Sequence, residues 1–173
     1  MKILSPLVVL AVALLATSLA HAENLADSLK GSLVRLNQDA IVKAEPDALA
    51  GKKLIAVYYS AHWCPPCRAF TPELVKFYDE TKVKHPDFEL IFVSSDHSAK
   101  EMKEYMIWGK MNWLALDYSQ RQLPVLKSLS SRGIPYLIVL DAEGKVLVAR
   151  PAGEDWMSPG KSLTKLKKLL AQK

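Results

Sequence analysis

The sequence predicts an α/β sandwich around a mixed β-sheet. Three observations carry this. Residues 54–59 and 88–93 are apolar, β-rich runs of the kind buried on both faces of a sheet. A third such run, 136–140, meets the turn Asp141-Ala-Glu-Gly144, and residues 145–149 return from it as a hairpin strand. Between the runs lie segments whose apolar residues recur at helical spacing.

Taken in order, Leu25, Leu29, Leu33 and Leu36 keep helical spacing, but Gly31 interrupts it. A short helix leading into a strand near 33–36 is expected, with Ile41-Val42 as its hairpin partner. Residues 46–51 read as a loop or single turn. After the 54–59 strand a helix opens at Pro65-Pro66. Proline pre-sets φ, and the N–H groups it lacks are ones the first turn leaves unpaired. Phe70, Leu74, Phe77 and Tyr78 form its apolar stripe. Pro72 interrupts its ladder and should kink it, and His85-Pro86-Asp87 ends it. Ser94-Ser95-Asp96 follows the second strand as a loop and N-cap region. Residues 99–108 read as a helix closed by Gly109. Residues 111–118 read as an aromatic-containing connection, and 123–129 as a further helical segment ending near Arg132-Gly133. Leu163, Leu166, Leu169 and Leu170 give a last helix its buried face. The expected order is β-α-β-α-(α)-β-β-α.

The N-terminus reads as a secretory signal over residues 1–22. Lys2 supplies a positive n-region, residues 7–15 are uninterruptedly apolar, and Ala20-His21-Ala22 is a small-x-small cleavage site. A single domain over 23–173 follows, large enough for a real core. The expected location is the periplasm or the exterior after cleavage near Ala22. The formal net charge is +5, with Lys161, Lys165, Lys167 and Lys168 clustered near the C-terminus. A solvated helix face accounts for them, so no nucleic-acid partner is expected.

The only two cysteines, Cys64 and Cys67, lie at the junction of the 54–59 strand and its helix. That position suits reversible dithiol/disulfide chemistry. The helix dipole favours a thiolate at Cys64, and Cys67 lies one turn further in, within bridging distance. A bridge closing so short a loop constrains little chain, so a structural staple is an unattractive reading. His62 and Arg68 are candidate sources of positive charge. Cys64 is the candidate nucleophile and Cys67 the resolving thiol. The histidine and cysteine spacing matches no common zinc site, and no glycine-rich phosphate loop is present, so no metal or cofactor is expected. His85 and His97 read as surface histidines. Trp108, Trp113 and Trp156 read as core or rim packing.

Trp63-Cys-Pro-Pro-Cys67 after a buried strand, Pro72 five residues on, and Gly133-Ile-Pro135 before a strand resemble the thioredoxin superfamily. Four blocks narrow the likeness to tryparedoxins and nucleoredoxins: 58–72, Val93-Ser-Ser-Asp96, Trp113-Leu-Ala-Leu116 and 133–141. The resemblance implies a thioredoxin-like three-layer α/β/α sandwich. It implies that Pro135 is a cis-proline facing the cysteines, that Ile134 offers its backbone to an extended substrate, and that Trp63 shapes the partner surface. The function it implies is an exported thiol-disulfide oxidoreductase exchanging disulfides with protein substrates, as a reductant fed by a membrane electron donor, and monomeric. An oxidase or isomerase, and a non-catalytic binding module, are the alternatives. One position departs from thioredoxins proper. Tyr58 stands where they keep a buried acid, and a phenol is a poor base at neutral pH.

Overall fold

In the computed structural model, which describes residues 24–151, 154 and 157–172, the strand expected at 54–59 forms as β3, Leu54–Ser60, and all of it is buried. Side-chain alternation divides it between two cores. Leu54, Ala56 and Tyr58 join one apolar cluster, and Ile55, Val57 and Tyr59 join the other. β4, Phe88–Ser94, runs parallel to β3, in register from Leu54↔Phe88 to Ser60↔Ser94. β6, Tyr136–Asp141, pairs antiparallel on the other side of β3, and β7, Val146–Val148, closes its hairpin. β1, Leu33–Asn37, and β2, Ala40–Lys43, form the expected hairpin at the opposite edge.

Residues 111–118 are more than a connection. Leu114–Leu116 is a strand, β5, antiparallel to β1 and parallel to β4. Three residues are too few to show a period, and their partners lie far away in sequence. β5 completes a seven-stranded mixed sheet in the order β2-β1-β5-β4-β3-β6-β7.

Helices cover both faces. α2 (Pro65–Lys82), α3 (Ala99–Trp108) and α5 (Pro159–Leu170) pack on one, and α1 (Leu25–Ser28) and α4 (Pro124–Lys127) on the other. The expected α/β/α sandwich is therefore present, with the thioredoxin-like fold. α2 buries Cys67, Phe70, Thr71, Leu74, Phe77, Tyr78 and Thr81, one stripe at helical spacing. Each large apolar side chain on it contributes about 1.5–3 kcal/mol of burial. Pro72 lies inside this helix. The helix expected over 123–129 is one turn. Beyond Ser128 the backbone bonds tighten to three-residue spacing, from Leu129 N–H to the Leu126 carbonyl and from Ser130 N–H to the Lys127 carbonyl. Gly109, after α3, marks a close approach. A Cβ there would sit 3.0 Å from Thr71 Cγ2 and 3.1 Å from the Tyr105 carbonyl.

Among the described residues no helix is long and apolar enough to cross a membrane. The signal-peptide reading falls on residues 1–22 and the packing reading of Trp156 on residue 156; both lie outside the described residues. β3 and β4 end side by side at Ser60 and Ser94. The loops leaving these carboxyl ends are where an open α/β sheet gathers functional residues.

Candidate active site

Cys64 is the N-cap of α2, in extended conformation, and Pro65 and Pro66 fill the first two helical positions. Cys64 and Cys67 are disulfide-bonded with their Cα atoms 5.2 Å apart. Cys67 is fully buried and Cys64 is 4% exposed. The Ile134-Pro135 peptide is cis, and the Ile134 carbonyl oxygen lies 3.7 Å from Cys64 Sγ. Cysteine pair and proline loop thus meet, although 70 residues separate Cys64 from Ile134. Trp63 stands at the rim, half exposed. Its indole N–H donates to the Ser95 carbonyl (3.2 Å) and its ring stacks on His97 at 5.7 Å.

The loop after β4 holds the loop after β3. Asp96 accepts the His62 backbone N–H (2.7 Å) and the Ser94 hydroxyl (2.7 Å), and Ser95 N–H donates to the Ser60 carbonyl (2.8 Å). Burial pushes the Asp96 carboxyl above its ordinary pKa, against the opposing bonds from Ser94 and His62. The two expected cations have other partners. The Arg68 guanidinium donates to the His62 carbonyl. The His62 ring packs on Tyr105 (5.2 Å) and Trp108 (5.7 Å). The clamp by Asp96 is not legible in the sequence, where 94–96 reads as a loop and N-cap region and Val93-Ser-Ser-Asp96 as one block of the family likeness. Its signal was a short acidic side chain just past a fully buried strand.

Beneath Cys67 lies a closed ring of four hydroxyls. Tyr58 and Thr71 are 2.9 Å apart, Ser60 donates to Tyr58 (2.9 Å), and Tyr105 contacts both Ser60 (2.9 Å) and Thr71 (2.6 Å). Thr71 donates to the Cys67 carbonyl at 3.0 Å, and Tyr58 approaches the same oxygen at 3.4 Å. Each hydroxyl carries one proton. With Thr71 donating to the Cys67 carbonyl, Ser60 to Tyr58 and Tyr58 to Thr71, the single Tyr105 proton serves either Ser60 or Thr71, so four protons cover the carbonyl and three of the four ring contacts at a time. Burial pushes Tyr58 well above the ordinary tyrosine pKa, and Tyr105 rises for the same reason. Tyr58 therefore supplies hydrogen bonds where thioredoxins proper keep an acid, and stays protonated. Of the expected packing tryptophans, Trp113 is in the core and Trp108 is half exposed at the rim. Among the described residues, no group of three or more His, Cys, Asp or Glu side chains could hold a metal ion.

A close cysteine pair at a helix N-terminus, set against a cis-proline on a seven-stranded mixed sheet, defines the thioredoxin class. The family model for thioredoxin-like domains matches residues 51–146, and the chain belongs to that family, whose members are thiol oxidoreductases. Within it the chain is similar to nucleoredoxin from Mus musculus, 40% identical over 121 residues, which are 69% of this chain and 26% of that protein. It is also similar to tryparedoxin from Trypanosoma brucei brucei, 37% identical over 102 residues, 58% of this chain and 69% of that one. The solved tryparedoxin I from Crithidia fasciculata superposes with a TM-score of 0.61 at 33% identity, covering 84% of this chain and 92% of that chain. The chain thus spans about a quarter of the nucleoredoxin length but most of a tryparedoxin.

These relatives correct one expectation. Nucleoredoxins and tryparedoxins are cytosolic or nuclear, which contradicts a periplasmic or secreted location. The export reading rested on the composition of residues 1–22 alone, which lie outside the described residues. The membrane electron donor rested on export and loses its basis with it.

Proposed function

We propose that this protein is a thiol-disulfide oxidoreductase that reduces disulfides of partner proteins through Cys64 and Cys67. The observation that carries the reading is the Cys64–Cys67 bridge at the N-cap of α2, with the cis-Pro135 loop at 3.7 Å from Cys64 Sγ. In the reduced protein, the Cys64 thiolate attacks a partner disulfide. One partner sulfur leaves as a thiolate and a mixed disulfide forms. The Cys67 thiolate then attacks Cys64 Sγ, releasing the second partner sulfur and closing Cys64–Cys67. The partner gains two electrons and two protons, and this protein loses them.

The N-terminus of α2 favours the attacking thiolate. Pro65 and Pro66 have no N–H, and Arg68 N–H bonds the Cys64 carbonyl. The Cys67 N–H is therefore the one first-turn donor left for it. Full burial of Cys67 suits a resolving thiol shielded from competing reactions. Ile134 would pair its backbone with an extended substrate segment, and Trp63 would bound the groove.

Trapping tests the reading. Cys67→Ser should hold partners as mixed disulfides on Cys64, and Cys64→Ser should hold none. Equal insulin-disulfide reduction by wild type and Cys64→Ser would refute a redox role and favour a binding module. Equilibration with glutathione tests direction. A potential near the thioredoxin value of about −270 mV supports a reductant, and one near −120 mV makes the protein an oxidant.

A further inference from the structure

Beside the redox centre, on the α4 face of the sheet, lies a polar cavity of about 320 Å³ whose wall includes Ser95, Asp96, Arg121, Lys127, Ser130 and Ile134. Its size is at the bottom of the roughly 300–1,000 Å³ range of small-ligand sites. Two wall residues belong to the centre itself: Ile134 approaches Cys64 Sγ, and Ser95 holds the Trp63 indole.

The cavity holds two cations and one carboxylate. Among the described residues neither Arg121 nor Lys127 has an ion-pair partner. Arg121 is nevertheless fixed. Its guanidinium lies 4.0 Å from the Tyr118 ring centroid and donates to the Tyr118 carbonyl (3.0 Å). Tyr118 in turn donates its hydroxyl to the Asp96 carbonyl (3.1 Å). The Tyr59 hydroxyl donates to the Leu126 carbonyl (2.5 Å) and ties the turn bearing Lys127 to β3. The one carboxylate, Asp96, already serves the His62 N–H and the Ser94 hydroxyl. A positioned guanidinium and an ammonium without a counter-charge form a carboxylate receptor.

We infer that this cavity is a specificity subsite that takes a carboxylate carried next to the substrate disulfide. The inference rests on the function proposed above and names the substrate class of the same centre. A segment lying along Ile134 passes the cavity mouth, and its acidic group replaces the missing counter-charge of Arg121 and Lys127. The carboxylate comes from a glutamate or aspartate side chain or from a peptide C-terminus.

Single-turnover exchange tests it. Reduced protein is mixed with disulfide-linked octapeptide dimers, each peptide with one cysteine, and the second-order rate constant is measured. One pair of peptides carries Glu or Gln two residues from the cysteine on either side. A second pair ends in a free or an amidated carboxyl at that distance. We expect wild type to prefer the carboxylate member of at least one pair by about fivefold at low salt. The responding pair identifies the source. In the double variant Arg121→Gln, Lys127→Gln the preference should fall to about one. In Lys165→Gln, Lys168→Gln, which removes equal charge from the other face, it should persist. A preference of about one in wild type, or one that survives in the first double variant, overturns the subsite while leaving the redox reading standing. Wild-type protein that reduces no peptide overturns both.

Discussion

Buried polar groups join α2 to the sheet at both ends, and the two ends differ in chemistry. At the first turns Cys67 and Thr71 meet Tyr58, Ser60 and Tyr105, and every contact is between neutral groups. At the last turns Tyr78 and Lys82 meet Glu89, a carboxylate that is 6% exposed. It accepts the Tyr78 hydroxyl at 2.6 Å and the Lys82 ammonium at 2.6 Å. The far end also buries an unpartnered indole N–H, at Trp113, whose ring meets Tyr78 edge to face at 5.5 Å. The contrast fits the redox role proposed for the cysteine end. A carboxylate fixed beneath the cysteines would oppose a thiolate there and raise its pKa. Neutral hydroxyls do not, and burial keeps Tyr58 and Tyr105 protonated across the neutral range. The far end hosts no such change of charge and carries a fixed ion pair.

The largest effect should come from the charged end. Glu89→Leu removes the acceptor of Tyr78 and Lys82 together, and should cost about 2–4 kcal/mol in urea unfolding. Its exchange rate should change less than about twofold. A proportionate loss of exchange would mean that the two ends are not separate. Thr71→Val comes next. It opens the hydroxyl ring and removes a donor from the Cys67 carbonyl, for about 1–2 kcal/mol. Unlike Glu89→Leu, it should also move the reduction potential of Cys64–Cys67. If glutathione equilibration gives both variants the wild-type potential, the ring anchors the helix and does nothing more. Tyr58→Phe should cost about 1 kcal/mol. Because Tyr58 stays protonated, the pH profile of exchange should keep its wild-type midpoint. A displaced midpoint would give Tyr58 the acid-base role that its burial argues against.

Neither end of α2 is legible in the sequence, although the strands and the cysteine pair between which it runs are. The β3, β4 and β6 strands are long apolar runs, and Cys64, Cys67 and Pro135 are read from spacing and resemblance. The hydroxyl ring is invisible in one dimension. It joins β3, α2 and α3, and Thr71 and Tyr105 are 34 residues apart. Each looks like an ordinary helical residue until the helices pack at Gly109. Glu89 was hidden for the opposite reason. It is a charged residue inside a buried strand, and only the fold brings Tyr78 and Lys82 against it. β5 escaped because three residues depend wholly on their neighbours. The location was misread because export signals are local composition, whereas the likeness to tryparedoxins and nucleoredoxins extends through the domain.

A surface pair calibrates the comparison and carries the smallest expected effect. Lys43 and Asp117 join β2 to the segment after β5 at 2.7 Å, but Lys43 is 63% exposed and Asp117 24%. The Lys43 hydrogen bond, and after it the Ser119 hydroxyl, hold the Asp117 carboxyl at about 2, below an ordinary 3.8. A carboxyl depressed on folding stabilises the folded state above its unfolded pKa, and that contribution is lost as pH falls toward about 2. Solvent screens the pair, so Lys43→Met should cost less than about 1 kcal/mol at neutral pH. The difference from wild type should shrink as unfolding is measured from pH 5 down to pH 2, and also in 1 M salt. Equal costs for Lys43→Met and Glu89→Leu at neutral pH would remove burial as the reason for the large effect at the far end of α2. The contrast between its two ends would then be one of composition, without an energetic consequence.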